Sequence, residues 1–286
     1  MEPLLPSNIG KRVLPSENNR RIVEGIVYRY RAGIAWRDLP REHFGLWQTV
    51  WKRHHRYAAD GTWDRVLVRV LSEADAAGGI DWNISVDGTI NRAHQHATNT
   101  TRPDQDTGAT SNCKNLPDQE CEPAGHGIGR SRGGLTTKIH HSVDGKGWPL
   151  AVVVTGGQCH DGVILPQALA DIRVPRAVGG RPRTCPDAIL ADREFGPKRN
   201  RKYLRSHGIR AVIPEKQDQI ATRKRRGTKG GRPSEFDAGA YRNRNVVERS
   251  FSYVKQWRGL ATTYDKLPTT YRAAVVISAI LTWLRR

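Results

Sequence analysis

Residues 82–90 read WNISVDGTI and residues 188–195 read AILADREF. In the first stretch Ile84 and Val86 alternate with polar neighbours, the period-two pattern of a half-buried strand, and Asp87 emerges near its end. In the second a short apolar run stops at Asp192. Two strands that each deliver a carboxylate set the frame for what lies around them. Between them, LTTKIHHSV (135–143) and PLAVVVTGG (149–157) predict two more strands. These are joined through Asp144 and Gly145, an Asp-Gly step that marks a hairpin. A helix over about 161–172 precedes Asp192. Beyond it come a helix near 197–206, a strand around 210–213, and long helices over about 238–259 and 269–286.

The order strand, strand, strand, helix, strand, helix, strand, helix, with carboxylates at the first and fourth strands, is ribonuclease-H-like. Upstream, apolar residues recur at helical spacing: Ile22, Ile26 and Val27; Trp47, Val50 and Trp51; Trp63, Val66, Val68 and Leu71. Three short helices joined by WRDLP and AADG are predicted. This unit reads either as a helix-turn-helix-like DNA reader, with Lys52, Arg53, His54, His55 and Arg56 supplying charge for phosphates, or as a helical cap on the next domain. The fold expected is α/β, a ribonuclease-H-like catalytic domain over 79–286 with an amino-terminal helical domain over 1–78. The polar, Gly-, Pro-, Asn- and Asp-rich stretch at about 98–129 is expected to be an exposed or disordered insertion.

The chain has 286 residues and 37% hydrophobic content, enough for a folded core. Its 47 Lys plus Arg against 28 Asp plus Glu give a formal charge of +19, which favours a polyanionic partner through counterion release. No apolar run approaches the roughly 20 residues that span a bilayer, and the start lacks the order of a signal peptide. A cytoplasmic, nucleoid-associated protein with no membrane partner is expected. Cys113, Cys121, Cys159 and Cys185 contain no C-x-x-C pair and read as free thiols, and Cys113, Cys121 and His126 match no common zinc spacing.

Cutting a phosphodiester without a covalent enzyme intermediate needs an activated oxygen nucleophile and a stabilised leaving oxygen, which two nearby divalent ions supply together. Hard cations such as Mg²⁺ take oxygen ligands. Asp87, Asp192 and Glu248 meet that need, although each taken alone reads better as a turn cap, a helix cap or a solvated helical residue respectively. Specificity enters at the late helix, where Tyr241, Arg244, Glu248 and Lys255 stand in the frame Y-x-x-R-x-x-x-E-x-x-x-x-x-x-K. On one straight helix these four fall within roughly 60° of each other. Val247, Phe251 and Val254 line the neighbouring face and would bury it against the sheet. The run IATRKRRGTKGGRPS (220–234), read as a loop, offers Arg223, Lys224, Arg225, Arg226, Lys229 and Arg232 to phosphates.

With these residues in view, the chain resembles the DDE transposases of bacterial insertion sequences, specifically the IS-five group of the IS-four superfamily, whose signature is the Tyr, Arg, Glu, Lys frame. The likeness continues through RNVVERSFSYVKQWRGLATTYDK, ISVDGTI, ILADREF, GRSRGGLTTKIH, AVVVTGGQCHDG, GIVYRYRAGIAWRDLP and WQTVWKRHHRYAADGTWDRVL. It implies an enzyme that binds the terminal inverted repeats of its element, cuts double-stranded DNA at the element ends and joins the 3′-hydroxyl to target DNA. The implied cofactor is Mg²⁺, with Mn²⁺ able to substitute, and the implied metal ligands are Asp87, Asp192 and Glu248. Tyr241, Arg244 and Lys255 would face DNA, and paired processing of two ends implies a homodimer on DNA.

Two departures stand out. Relatives often carry Ser-Thr where this chain has Gly88-Thr89, a change the site should tolerate. They usually have one or two more helical turns before EPLLP, so the start is expected to be truncated or misassigned, which bears on repeat binding more than on catalysis.

Three alternatives compete. A repurposed or inactive transposase-derived DNA-binding protein is opposed by the intact carboxylate trio, which drift would not spare. A recombinase acting through Tyr264 or Tyr271 lacks its paired Arg and H-x-x-R-like site. A dinucleotide fold suggested by GHGIGRSRGG requires a strand before those glycines and a helix after them, whereas here a polar loop precedes and a strand follows.

Overall fold

The computed structural model describes residues 5–6, 19–98, 127–177 and 179–285. The helical region comprises α1 (Asn19–Ala32), the single turn α2 (Arg41–Phe44), α3 (Trp47–Ala59) and α4 (Thr62–Ala76). There follow β1 (Asn83–Ala93), the short α5 (Gln95–Thr98), β2 (Gly129–Ser131), β3 (Gly134–Val143), β4 (Pro149–Gly156) and α6 (Asp161–Ala170). The second half holds β5 (Ala188–Ala191), α7 (Lys198–Ser206), β6 (Arg210–Val212), α8 (Gln217–Arg225), α9 (Ala238–Tyr241), α10 (Val246–Lys255), α11 (Arg258–Ala261), β7 (Thr262–Thr263) and α12 (Pro268–Trp283).

These strands form one mixed sheet. β3 runs antiparallel to β1 and β4 antiparallel to β3, so the first three long strands make a meander. On the other side of β1, β5 pairs in parallel, and β6 in parallel to β5. The chain therefore leaves β1 in one direction and returns to its opposite edge, a switch point where a crevice opens beyond the carboxyl ends of the parallel strands. The five-residue loop 144–148 between β3 and β4 differs from a two-residue Asp-Gly turn. Asp144 accepts from the N–H groups of Lys146 and Trp148, and the positive φ falls on Gly147 rather than Gly145.

Helices cover both faces. α6 lies on the face of β3 that carries His140, and α10 on the face that carries His141, with His141 Nδ1 2.8 Å from Ser250 Oγ. In α4 the buried stripe is Trp63, Val66, Leu67, Val70 and Leu71, with Val68 only half buried. One apolar cluster runs from Ile22, Tyr57 and Trp63 through α12 (Tyr271, Ile277, Ile280) into Ile84 and Ile139 of the sheet. Arg272 of α12 ties the two regions by polar bonds as well, reaching Asp64 at 2.8 Å and the Val152 carbonyl at 2.9 Å. The amino-terminal helices are thus packed against the sheet domain as a cap.

Two residues of the basic run of α3 are spent on packing among the helices themselves. Arg53 is buried and donates to Asn19 and Tyr57. His54 is fully buried, 3.1 Å from the Tyr30 hydroxyl, and burial together with its cationic neighbours lowers its pKa to about 3, so it is neutral. Of the five residues expected to face phosphates, Lys52 and Arg56 are exposed and His55 is half buried. The polar stretch expected at 98–129 falls outside the described residues between 99 and 126, as do Cys113, Cys121 and His126. Among the described residues, no helix is long and apolar enough to cross a membrane.

Candidate active site

Strand register brings the two aspartates together. The last pair between β1 and β5 is Val86 with Ala191, so Asp87 and Asp192 are the next residue on each parallel strand, at the point where the strands part. β1 continues to Ala93, which places Asp87 in mid-strand rather than near the end, because β3 and then β7 keep pairing with it. Asp87 is nearly buried and accepts the Gly88 N–H at 2.8 Å. Asp192 accepts the Glu194 N–H at 2.8 Å, capping a single helical turn over 193–195.

Glu248 arrives from the other direction. It sits in the first turn of α10, where a negative charge favours the helix dipole. Val247, Phe251 and Val254 are buried, as their spacing predicted. His141, cross-strand partner of Asp87, pins this helix through its contact with Ser250 and the Phe251 ring, 5.0 Å between centroids. Burial lowers the His141 pKa to about 3, and this neutral residue adds no charge beside the carboxylates.

The helix expected over about 238–259 is broken. A 3-10 stretch, Arg242–Asn245, lies between α9 and α10, and the winding turns at Trp257 before α11. The overwound turn carries Arg244 over the mouth, where its guanidinium pairs with Asp87 and, at 3.3 Å, with Glu248. Tyr241 packs on Ala188, Leu190 and Val212, its ring 5.3 Å from Phe236. Burial raises its pKa, Arg244 opposes the rise, and the charges of Asp192 and Asp87 add to it. Lys255 reaches the Ile90 carbonyl at 3.5 Å, three residues along β1 from Asp87.

Asp87 feels the other two carboxylates. Burial raises the Asp87 pKa to about 6 despite Arg244, and the charges of Asp192 and Glu248 contribute to the rise. Such an all-oxygen, mutually repelling set fits hard divalent cations in its chemistry. In its spacing the set is open: among the described residues, no three His, Cys, Asp or Glu side chains are gathered closely enough to hold one ion. The cation between Asp87 and Glu248 in this geometry is Arg244.

Behind Asp87, on the opposite face of β1, Gly88 has a steric reason. A Cβ there would come within 2.2 Å of Asp161 Oδ1 and 2.9 Å of His140 Nδ1. Asp161 is held by Lys138 at 2.8 Å, and the two partners keep its pKa low against the opposing effect of burial. Serine at this position would force that buried cluster to move.

The stretch 220–234 departs from expectation. Its first part is α8, and Arg223 is bound to Glu215, leaving Lys224, Arg225, Arg226, Lys229 and Arg232 exposed. Tyr271 is buried, donates to the Leu260 carbonyl at 2.5 Å and accepts from Asn91, and its pKa is pushed upward by burial, so it is no nucleophile. In GHGIGRSRGG, residues 129–131 are β2 and the turn leads straight into β3, an antiparallel hairpin rather than a dinucleotide loop. Sequence reading missed two structural pins: His141 with Ser250, and Asp265, which is buried and receives the Tyr30 hydroxyl at 3.0 Å beside Arg29.

A mixed sheet covered by helices on both faces, with an acidic, cation-seeking mouth at its switch point and a strongly basic chain around it, defines the class. Residues 80–283 match the family model described as "Transposase DDE domain", and residues 1–67 match "Putative transposase of IS4/5 family (DUF4096)". The chain belongs to the DDE transposase family of insertion sequences. It is 39% identical over 93 residues to "Uncharacterized protein y4sN" of Sinorhizobium fredii, covering 32% of this chain and 69% of that protein. It is 29% identical over 145 residues to "Putative transposase for insertion sequence element IS402" of Burkholderia cepacia (51% and 61%). It is 26% identical over 151 residues to "Putative transposase for insertion sequence element IS6501" of Brucella ovis (53% and 100%). No solved structure matches the chain.

Proposed function

We propose that this chain transposes an insertion element: it binds the terminal inverted repeats, cuts the element ends and joins the freed 3′-hydroxyl to target DNA. The observations that support this reading are the parallel register that makes Asp87 and Asp192 neighbours at the switch point of the sheet and the Arg244 guanidinium that links Asp87 to Glu248. The antiparallel meander followed by two parallel strands supports the ribonuclease-H-like reading of the fold.

Asp87, Asp192 and Glu248 would hold divalent ions, Mg²⁺ with Mn²⁺ as substitute. When bound, these would supply Lewis-acid stabilisation of the scissile phosphate and an activated oxygen nucleophile. The chain's own part is positional. β1 and β5 set the two aspartates on neighbouring strands, and α10 carries Glu248, which Arg244 links to Asp87. Arg244 and Lys255 present cations to the phosphates on either side, and Tyr241 closes the wall. Lys224, Arg225 and Arg226 extend the basic surface, while Arg223 is committed to Glu215. The helical region over 1–78 would meet the terminal repeats, and two copies would act together as a homodimer on paired ends.

A supercoiled plasmid carrying both element ends tests this reading. With Mg²⁺, cuts are expected at the ends and nowhere else, and none with EDTA or with Glu248→Gln. Binding without cutting under every metal tried would overturn it.

A further inference from the structure

α7 opens with cations where a helix that only has to be stable would not place them, although Arg205 in its last turn suits the dipole. Its sequence KRNRKYLRS has Lys198 and Arg199 in the first turn, where the backbone dipole already presents positive charge, and no acid there. Lys198 and Lys202 repel at i, i+4, as do Arg201 and Arg205. Lys198, Lys202 and Arg205 project within roughly 60° of one another, all exposed, with Arg199 exposed beside them. None of these four has a carboxylate partner among the described residues.

The inner side of α7 is anchored to the catalytic loop. Asn200 is buried and donates to the carbonyls of Gly162 (2.8 Å) and Phe195 (3.1 Å). Arg201 donates to those of Gly196 (3.3 Å) and Ile213 (2.7 Å), and Leu204 is fully buried. Glu194, an acid just ahead of the helix, is already neutralised by Lys216 at 2.8 Å, with His160 Nε2 3.1 Å from the same carboxylate. The cationic stripe is therefore rigid and unopposed, and it starts six residues after Asp192.

We infer that the outer face of α7, Lys198, Lys202 and Arg205 with Arg199 at its flank, is a rail for the phosphate backbone of duplex DNA on the Asp192 side of the mouth. It reads charge and not sequence, because lysine and arginine contacts to phosphate oxygens position a duplex without discriminating bases. The inference rests on the DNA-cutting reading of the site and adds a contact surface to it.

The test compares two triple variants of the full chain, each losing three charges. One is Lys198→Ser, Lys202→Ser, Arg205→Ser; the other is Arg258→Ser, Lys266→Ser, Arg285→Ser, three exposed positions in the carboxyl-terminal segment. Duplex affinity is measured against salt concentration for an element-end duplex and a scrambled one. The α7 variant should lower the magnitude of the log–log salt slope by about 2 to 3, near 0.9 for each phosphate no longer neutralised, equally for both duplexes, with the thermal midpoint unchanged or raised. The control should leave the slope near wild type. An α7 slope equal to the control's, or a weakening confined to the element-end duplex, would overturn the rail. Failure of the wild-type chain to bind duplex DNA in a salt-dependent way would instead sink the DNA-cutting reading on which it rests.

Discussion

Asp87→Asn should abolish cutting at element ends and, at neutral pH, make the folded protein more stable. The carboxyl of Asp87 is raised from 3.8 to about 6 in the folded chain, chiefly by burial. A raised carboxyl means that the folded state binds the proton more tightly than the unfolded state. The penalty is absent below the unfolded value, grows between the two values and is complete above about 6. The difference corresponds to on the order of 3 kcal/mol at neutral pH. An amide keeps the shape and most of the hydrogen bonding without the charge. The thermal midpoint of Asp87→Asn should exceed that of wild type by several degrees at pH 8, with the gap closing towards pH 4. A midpoint that falls at both pH values would show that Asp87 serves as a structural acceptor for the Gly88 N–H. A site that sacrifices stability to keep a charge is the signature of function.

Arg244→Ala should produce the second large effect. The guanidinium is the one cation that spans Asp87 and Glu248 among the described residues, and its charge opposes the rise of the Asp87 pKa. Without it Asp87 should titrate above about 6, so the acid limb of the cleavage profile should move to higher pH. Cleavage near pH 7 should fall by at least about a hundredfold, the scale of losing one preorganised charge at a reacting centre. Arg244→Lys should restore the charge and so the position of the acid limb, but only part of the rate, since an ammonium lacks the planar fork that meets two carboxylates at once. An acid limb that stays in place in the alanine variant would separate Arg244 from the ionisation of Asp87.

The strands were legible because apolar alternation is a local signal, and Asp87 and Asp192 could be placed beside them. That the two are register neighbours was not legible, since strand pairing between residues 86 and 191 is a long-range fact. The late helix was read as straight because Val247, Phe251 and Val254 keep helical spacing throughout. The 3-10 turn at 242–245, whose Arg244 pairs with Asp87, leaves no mark in the periodicity. Charge runs misled twice for the same reason. Arg53, His54 and Arg223 look free in sequence, yet each has a distant partner: Asn19, Tyr30 and Glu215. α7 was the reverse, an unpaired charge run on a helix noted only for its place after Asp192. Gly88 was read as a harmless departure, and the Asp161 cluster that accounts for it lies on the other face of the strand.

Whether Asp87, Asp192 and Glu248 form one divalent-metal centre is tested most directly by loading the full chain, bound to element-end DNA, with Fe²⁺ and generating hydroxyl radicals with ascorbate and peroxide. Chain scission is expected beside residues 87, 192 and 248 together, competed away by Mg²⁺ and absent in Asp87→Asn. Scission mapped elsewhere, or a pattern untouched by that substitution, would contradict a shared centre.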